Sequence, residues 1–255
     1  MKISNDILLL GDIPVENIMR EYGSPLYVYE EFALRSQLRE LSSGFPKDLV
    51  EIHYSMKANS NPTLLKIISE EGASIDAVSE FEVRLAIESG FDPKKIIFTG
   101  NNNCFKEIEF CIGKKVSINL GSLFLLEEYG LRFPNTNLSI RVNPGIGAGH
   151  HSHCITGGPN SKFGIYFDQI GKALELAKKF KLKIDGIHSH IGTGIFYAEP
   201  MLEAMEMILN VAKEFPDLEF VDFGGGFGIP YTPKQVPLDM KDLSKKMTDR
   251  FKKFV

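Results

Sequence analysis

From residue 50 onward, short runs rich in β-branched residues alternate with longer stretches of helical periodicity, and this limits the fold more than any other feature. The strand-like runs are 50–56 (VEIHYSM), 74–78, 95–99 (KIIFT), 116–119, 138–142, 184–191 and 218–223. Helical patterns follow from about 62, then at 79–89, 105–112, 122–131, 167–180, 199–215 and about 238–254. Asn61 can cap the first of these, with Pro62 in its opening turn, and Gly90 ends the second. Ile170, Leu174 and Ala177 fall on one helix face. Strand followed by helix, without hairpin signals, implies parallel strands joined by right-handed crossovers.

This reading yields seven βα units, one strand short of a TIM-type (β/α)8 barrel. The chain stops where strand eight should begin. At the other end, residues 4–11 (SNDILLLG) read as a strand, 14–21 as a helix and 25–29 (PLYVY) as an extended segment. The first strand needs a sheet to join, and the sequence is expected to offer no other strands for it. Both features predict the N-terminal portion of a longer protein. Residues 1–24 would pair with a β domain outside this chain, and 25–255 would form an incomplete barrel. An open sheet completed by an oligomer is the alternative.

Composition narrows the function classes. A net charge of −4 disfavours a dedicated nucleic-acid binder, which is usually basic. At 43% hydrophobic and 24% charged the chain is globular rather than disordered. No apolar run approaches the ~20 residues of a membrane span, and Asp6 and Asp12 interrupt the only N-terminal apolar stretch. Cys104, Cys111 and Cys154 have no metal-ligand spacing, so a reduced cytoplasmic protein is the simplest expectation.

Barrel chemistry sits at the C-terminal ends of the strands. Lys57 follows the first strand, Asp76 and Ser79 the second; Arg141 lies on the fifth, His188 and His190 end the sixth, and Gly224, Gly225 and Gly226 follow the seventh. Lys57 is either a solvated rim residue or a Schiff-base lysine, which would need apolar neighbours such as Tyr54 and Met56. The run DFGGGFG lets backbone N–H groups converge on an anion, a phosphate by preference; a plain tight turn is the alternative. It lacks the G-x-G-x-x-G spacing of a dinucleotide fingerprint. His188 and His190, two apart on a strand, share a face. They could be hydrogen-bonded core histidines, a metal pair or an imidazole stacked on a planar cofactor. His150, His151, His153 and Cys154 lie in a loop of some twenty residues with no zinc spacing, and no metal is expected. Asp76 and Glu82, six apart, could act as a carboxylate pair, although capping and helix-surface roles are commoner.

Together these motifs resemble one family. HYSMKANSNP is similar to the lysine motif of the alanine racemase-like, fold-type III pyridoxal-phosphate enzymes. SIDAVSEFE, RVNPGIGAGHHSHCITGGPNSKFGI, GIHSHIGTG and DFGGGFGIPY follow in that family's order, and YGSPLYVYEE resembles the opening of its diaminopimelate-specific members. The resemblance covers residues 5–232. It implies that Lys57 holds pyridoxal 5'-phosphate covalently, that His190 stacks on its ring, and that Gly224, Gly225 and Gly226 bind its phosphate. Thr193 would stand near the phosphate where the family often has serine. Asp76, Glu82 and Arg141 match positions near the cofactor.

The implied fold is a βα barrel followed by a β domain that the N-terminal strand joins. The implied reaction is decarboxylation of meso-2,6-diaminopimelate to L-lysine and CO2, the last step of lysine biosynthesis, in a cytoplasmic homodimer. The family's acidic-Pro-Gly-Arg motif on strand eight, and its Cys-Glu-Ser stretch and tyrosine in the β domain, are not in this sequence. Little or no decarboxylase activity is therefore expected of these 255 residues alone. Arginine, ornithine or carboxynorspermidine decarboxylation is the alternative within the family; a barrel that binds pyridoxal phosphate without catalysis is the alternative outside it.

Overall fold

The computed structural model describes residues 2–255. Seven parallel strands form its central sheet: β4 (His53–Ser55), β5 (Ser74–Ala77), β6 (Ile96–Phe98), β7 (Ser117–Leu120), β8 (Asn137–Asn143), β10 (Lys183–His188) and β11 (Phe220–Asp222). Each pairs with its predecessor in that order, as the alternating pattern predicts. A two-residue strand, β9 (Ile165–Tyr166), adds to β8 at the end of the long loop and was not foreseen. The helices α3 (Pro62–Glu70), α4 (Glu80–Glu88), α5 (Phe105–Gly113), α6 (Leu123–Arg132), α7 (Ile170–Phe180), α8 (Ala198–Ala212) and α9 (Met240–Phe254) follow their strands. The result is an incomplete TIM-like barrel with β4 and β11 as its two edges. No helix of the described residues is long and apolar enough to cross a membrane.

Local chemistry explains the helix starts. Asn61 Oδ1 accepts the Thr63 N–H at 2.9 Å, and Ser79 and Ser122 cap α4 and α6 through their hydroxyls. Asp239 caps α9 by accepting two backbone N–H groups. α8 buries Met201, Met205, Ile208 and Ala212, a 3–4 residue spacing that presents one stripe to the sheet and α9. The face of the central strands that packs under the helices is apolar, with Ile75, Ile96, Phe98, Ile118, Ile140 and Ile187 all buried, whereas the alternate positions carry Asp76, Asn119, Ser139, Arg141 and His188 on the opposite face.

The N-terminal region departs from expectation. Residues 2–14 supply their own small sheet: β1 (Lys2–Ser4), β2 (Ile7–Leu10) and β3 (Ile13–Pro14) pair antiparallel in sequence order. Asn5 and Asp6 both adopt positive φ, the two-residue hairpin geometry that matches strand twist. The Asn-Asp pair was the overlooked signal. α1 (Val15–Tyr22) follows, close to the predicted 14–21.

A second helix, α2 (Glu31–Ser43), was also missed. It buries no residue completely, but Leu34, Leu38 and Leu41 make a half-buried stripe at helical spacing. Arg35 and Arg39 tie it to the end of α3, both reaching Glu71, whose carboxyl they hold down to about 2.

Candidate active site

Lys57 lies just past the edge strand β4, in a single 3-10 turn (Met56–Ala58). Met56 turns into the core and Tyr54 donates its hydroxyl to Asn59 O at 3.0 Å, so Lys57 is left exposed. The expected apolar surround is not formed by these neighbours.

Asp76, at the end of β5, is clamped by hydroxyls from both flanking strands. Ser55 Oγ donates to it at 2.7 Å, and Thr99 Oγ1 donates to its other oxygen. Neither hydroxyl was anticipated as part of the site. Glu82 sits in the first turn of α4, and its carboxylate accepts the Val78 N–H at 2.7 Å. Burial raises its pKa, while that hydrogen bond and Lys57 oppose the shift. The helix-start role and nearness to Lys57 are thus both real, and Asp76 and Glu82 feel each other's charge.

Arg141 projects from β8 and is 6% exposed, rare for a guanidinium. It donates to His190 O at 3.3 Å and lies 4.9 Å from the centre of the Phe163 ring. Burial lowers its pKa to about 10, with Asp76 and Asp222 pulling the other way. It stays cationic at neutral pH.

His188 and His190 face the same way, one layer apart. His190 is half-buried at the rim, and burial, then Lys57 and Arg141, depress its pKa to about 4. Its imidazole is neutral at physiological pH, with Nδ1 accepting a long 3.4 Å hydrogen bond from Gly225 N–H. His188 is buried below it and neutral for the same leading reason.

The glycine turn follows β11. Gly224 and Gly226 have φ of +71° and +94°, and a Cβ on either would strike the backbone of the Ser189–Gly192 segment. Gly225 differs: its φ is ordinary, and a Cβ there would meet nothing within 4 Å. The turn therefore packs tightly on two sides and opens on the third. Thr193 stands beside it, exposed, with its backbone bonded to Cys154 O and to His150 N.

The long glycine-rich loop folds back over this rim. Thr156 and Gly157 donate backbone N–H groups to Ile191 O at 3.2 Å, and Thr156 Oγ1 donates to His190 O at 3.0 Å. His151 and His153 stack on each other at 5.0 Å, and His150 Nε2 lies 3.8 Å from Cys154 Sγ. Among the described residues no three His, Cys, Asp or Glu side chains gather as a metal site.

These positions define a barrel with its chemistry on the C-terminal rim: a lysine on one edge strand, an open glycine turn on the other, and a neutral imidazole beside both. The family model for the pyridoxal-dependent decarboxylases, pyridoxal binding domain, matches residues 32–255, and the chain belongs to that family. Diaminopimelate decarboxylase of Methanothermobacter thermautotrophicus is 41% identical over 96% of this chain and 59% of its own length. That of Escherichia coli K12 is 32% identical over 89% of this chain and 55% of its own. The crystal structure of diaminopimelate decarboxylase from Helicobacter pylori complexed with L-lysine superposes with a TM-score of 0.86 at 27% identity, covering 93% of this chain and 63% of that one. The chain thus spans a little over half the length of the curated relatives it matches.

Proposed function

We propose that the complete protein carrying this chain decarboxylates meso-2,6-diaminopimelate to L-lysine, and that the rim described above is its pyridoxal-phosphate site. The observation that carries the reading is the single rim shared by Lys57, His190 and the glycine turn. The residues fit the cofactor. Gly225 leaves open space where any side chain would intrude, as a phosphate cradle requires, and Gly224 and Gly226 shape the turn. His190, kept neutral, offers a flat face for a heteroaromatic ring. The 41% identical relative and the lysine-bound neighbour support the choice of substrate.

When bound, the cofactor supplies the electron sink for the carbon that loses CO2. The protein's own groups orient and hold protons. Lys57 would hold the cofactor through Nζ, and its amine is placed to move a proton at the rim. Arg141 fixes the backbone under His190, and Thr193, exposed beside the glycine turn, would help to hold the phosphate. Asp76, held by Ser55 and Thr99, supplies fixed negative charge opposite Arg141 and His190. Glu82 lies close enough to Lys57 to share its field. The loop over the rim limits water.

The same reading makes the protein a cytoplasmic homodimer. It also assigns residues 1–24 to a β domain outside this chain, which the exposed Ile3, Ile13 and Tyr22 support. The 255-residue chain alone has little or no decarboxylase activity. The test is CO2 release from meso-diaminopimelate, arginine, ornithine and carboxynorspermidine, by the complete protein and by the chain. Turnover of diaminopimelate by the complete protein alone is expected. Preference for another amino acid overturns the substrate, cofactor binding without turnover by the complete protein overturns the enzyme, and turnover by the chain overturns the division of labour.

A further inference from the structure

A polar chain crosses the barrel interior beneath the rim. Ser139 Oγ on β8 donates to Asn119 Oδ1 on β7 at 3.0 Å. The Asn119 amide then points Nδ2 at His188 Nδ1 on β10, 3.1 Å away. Ser139, Asn119 and His188 are 2%, 2% and 7% exposed, so each needs an internal partner. With Nδ1 accepting, neutral His188 carries its proton on Nε2. That atom faces Asp222 Oδ2 on β11 at 4.0 Å, an electrostatic contact longer than a hydrogen bond. Asp222 uses its other oxygen to accept the Gly224 N–H at 2.7 Å, at the first residue of the glycine turn.

We infer that His188 is a positioning residue for the cofactor phosphate: its Nε2–H orients the Asp222 carboxylate, which pins Gly224 and so sets the direction of the glycine turn. The inference rests on the assignment of the phosphate to that turn. The physical need is plain. Gly224, Gly225 and Gly226 have no side chains to hold them, so the direction of the turn depends on what its backbone groups bond to. A turn of this kind keeps its direction only where its backbone is tied to the neighbouring strands. The Ser139–Asn119–His188–Asp222 chain is such a tie, and it passes through β8, β7 and β10. Asn119 acts one step earlier, by fixing the His188 tautomer.

The test compares binding of pyridoxal 5'-phosphate with that of pyridoxal, which lacks the phosphate, by spectroscopic titration of the complete protein. His188→Leu is expected to weaken pyridoxal phosphate binding by about tenfold, the scale of one misplaced hydrogen bond to the phosphate, and to leave pyridoxal binding unchanged. His188→Gln, which keeps an N–H in place of Nε2, is expected to recover most of the difference. Equal losses for both ligands, or no loss for either, overturn the inference. Failure of the unmodified protein to prefer the phosphorylated ligand instead overturns the assignment of the phosphate to the turn. If His188→Leu does not fold, 15N NMR of the unmodified protein decides: an Nε2–H tautomer at His188 supports the tie, and an Nδ1–H tautomer overturns it.

Discussion

The two edge strands and the strands between them are built from similar sequence but live in different surroundings. Ile75 on β5 and Ile140 on β8 are 0% exposed, whereas every residue of β4 and β11 is half-buried or exposed. The edges nevertheless carry the lysine and the glycine turn, the two positions that would hold the cofactor at its two ends. The central strands contribute Asp76, Arg141 and His188, groups that would act through charge and orientation. His53 on β4 pulls the Asp222 carboxyl on β11 down a little against the effect of burial, across the mouth of the sheet. The two ends of the proposed site thus lie on the first and last strands of this sheet, and the strands between them place Asp76, Arg141 and His188 across the gap.

Four experiments would break or sharpen that contrast. The largest effect is expected at the edge: Lys57→Ala in the complete protein should cost about a thousandfold or more in turnover and abolish the absorbance of covalently held cofactor. Retained turnover would remove the lysine from the site.

Next comes packing. Ile140→Ala in the centre should lower unfolding free energy by about 2–5 kcal/mol, against about 1 kcal/mol for Val221→Ala on β11. Equal losses in urea denaturation would erase the distinction between edge and centre.

Within the glycine turn, Gly226→Ala must accept a φ of +94° and a clash with Gly192 O, and should cost about 1–3 kcal/mol of stability. Gly225→Ala meets no atom and should stay within about 0.5 kcal/mol of the unmodified protein, yet weaken binding of pyridoxal phosphate. Undiminished cofactor binding by Gly225→Ala would argue against the cradle.

The smallest effect is a pH slope. His190 titrates near 4 when folded against 6.5 as a model imidazole, so the unfolded chain takes up its proton first. The stability it contributes is complete above 6.5 and is lost as pH falls toward 4. Asp222 runs the other way: its carboxyl is pushed up from 3.8 to about 6, chiefly by burial. Its contribution favours the folded state at low pH and is lost as pH rises through about 6. The two oppose each other over the shared interval. Asp222→Asn should therefore steepen the acid loss of stability between about pH 6.5 and 4. An unchanged slope in denaturation midpoints would show that the Asp222 carboxyl is not pushed up in the folded protein.

Much of this was legible from the residues. The seven parallel strands follow from alternation of apolar runs with helical patterns, because parallel strands need crossovers and leave that rhythm in the sequence. Lys57, Arg141, His190 and the glycines were singled out because chemistry-bearing types at strand ends are conspicuous. α2 and the β1–β3 hairpins escaped notice because their signals are weak: a half-buried leucine stripe and an Asn-Asp pair. Ser55, Thr99 and Asn119 escaped for another reason. A serine, threonine or asparagine in a strand carries no mark of its partner, and these three find theirs across 21, 23 and 69 residues of chain.

The sequence by itself determined the alternation of strand and helix, the parallel sheet and the set of residues at the C-terminal ends of its strands, since hydrophobic period and turn chemistry act locally. Only the tertiary structure decided which groups are charged and which way they face. The pKa of His190 depends on burial and on Lys57 and Arg141, which are distant in sequence. Desolvation and Coulomb interactions depend on distance in space, and that distance does not exist until the strands have paired.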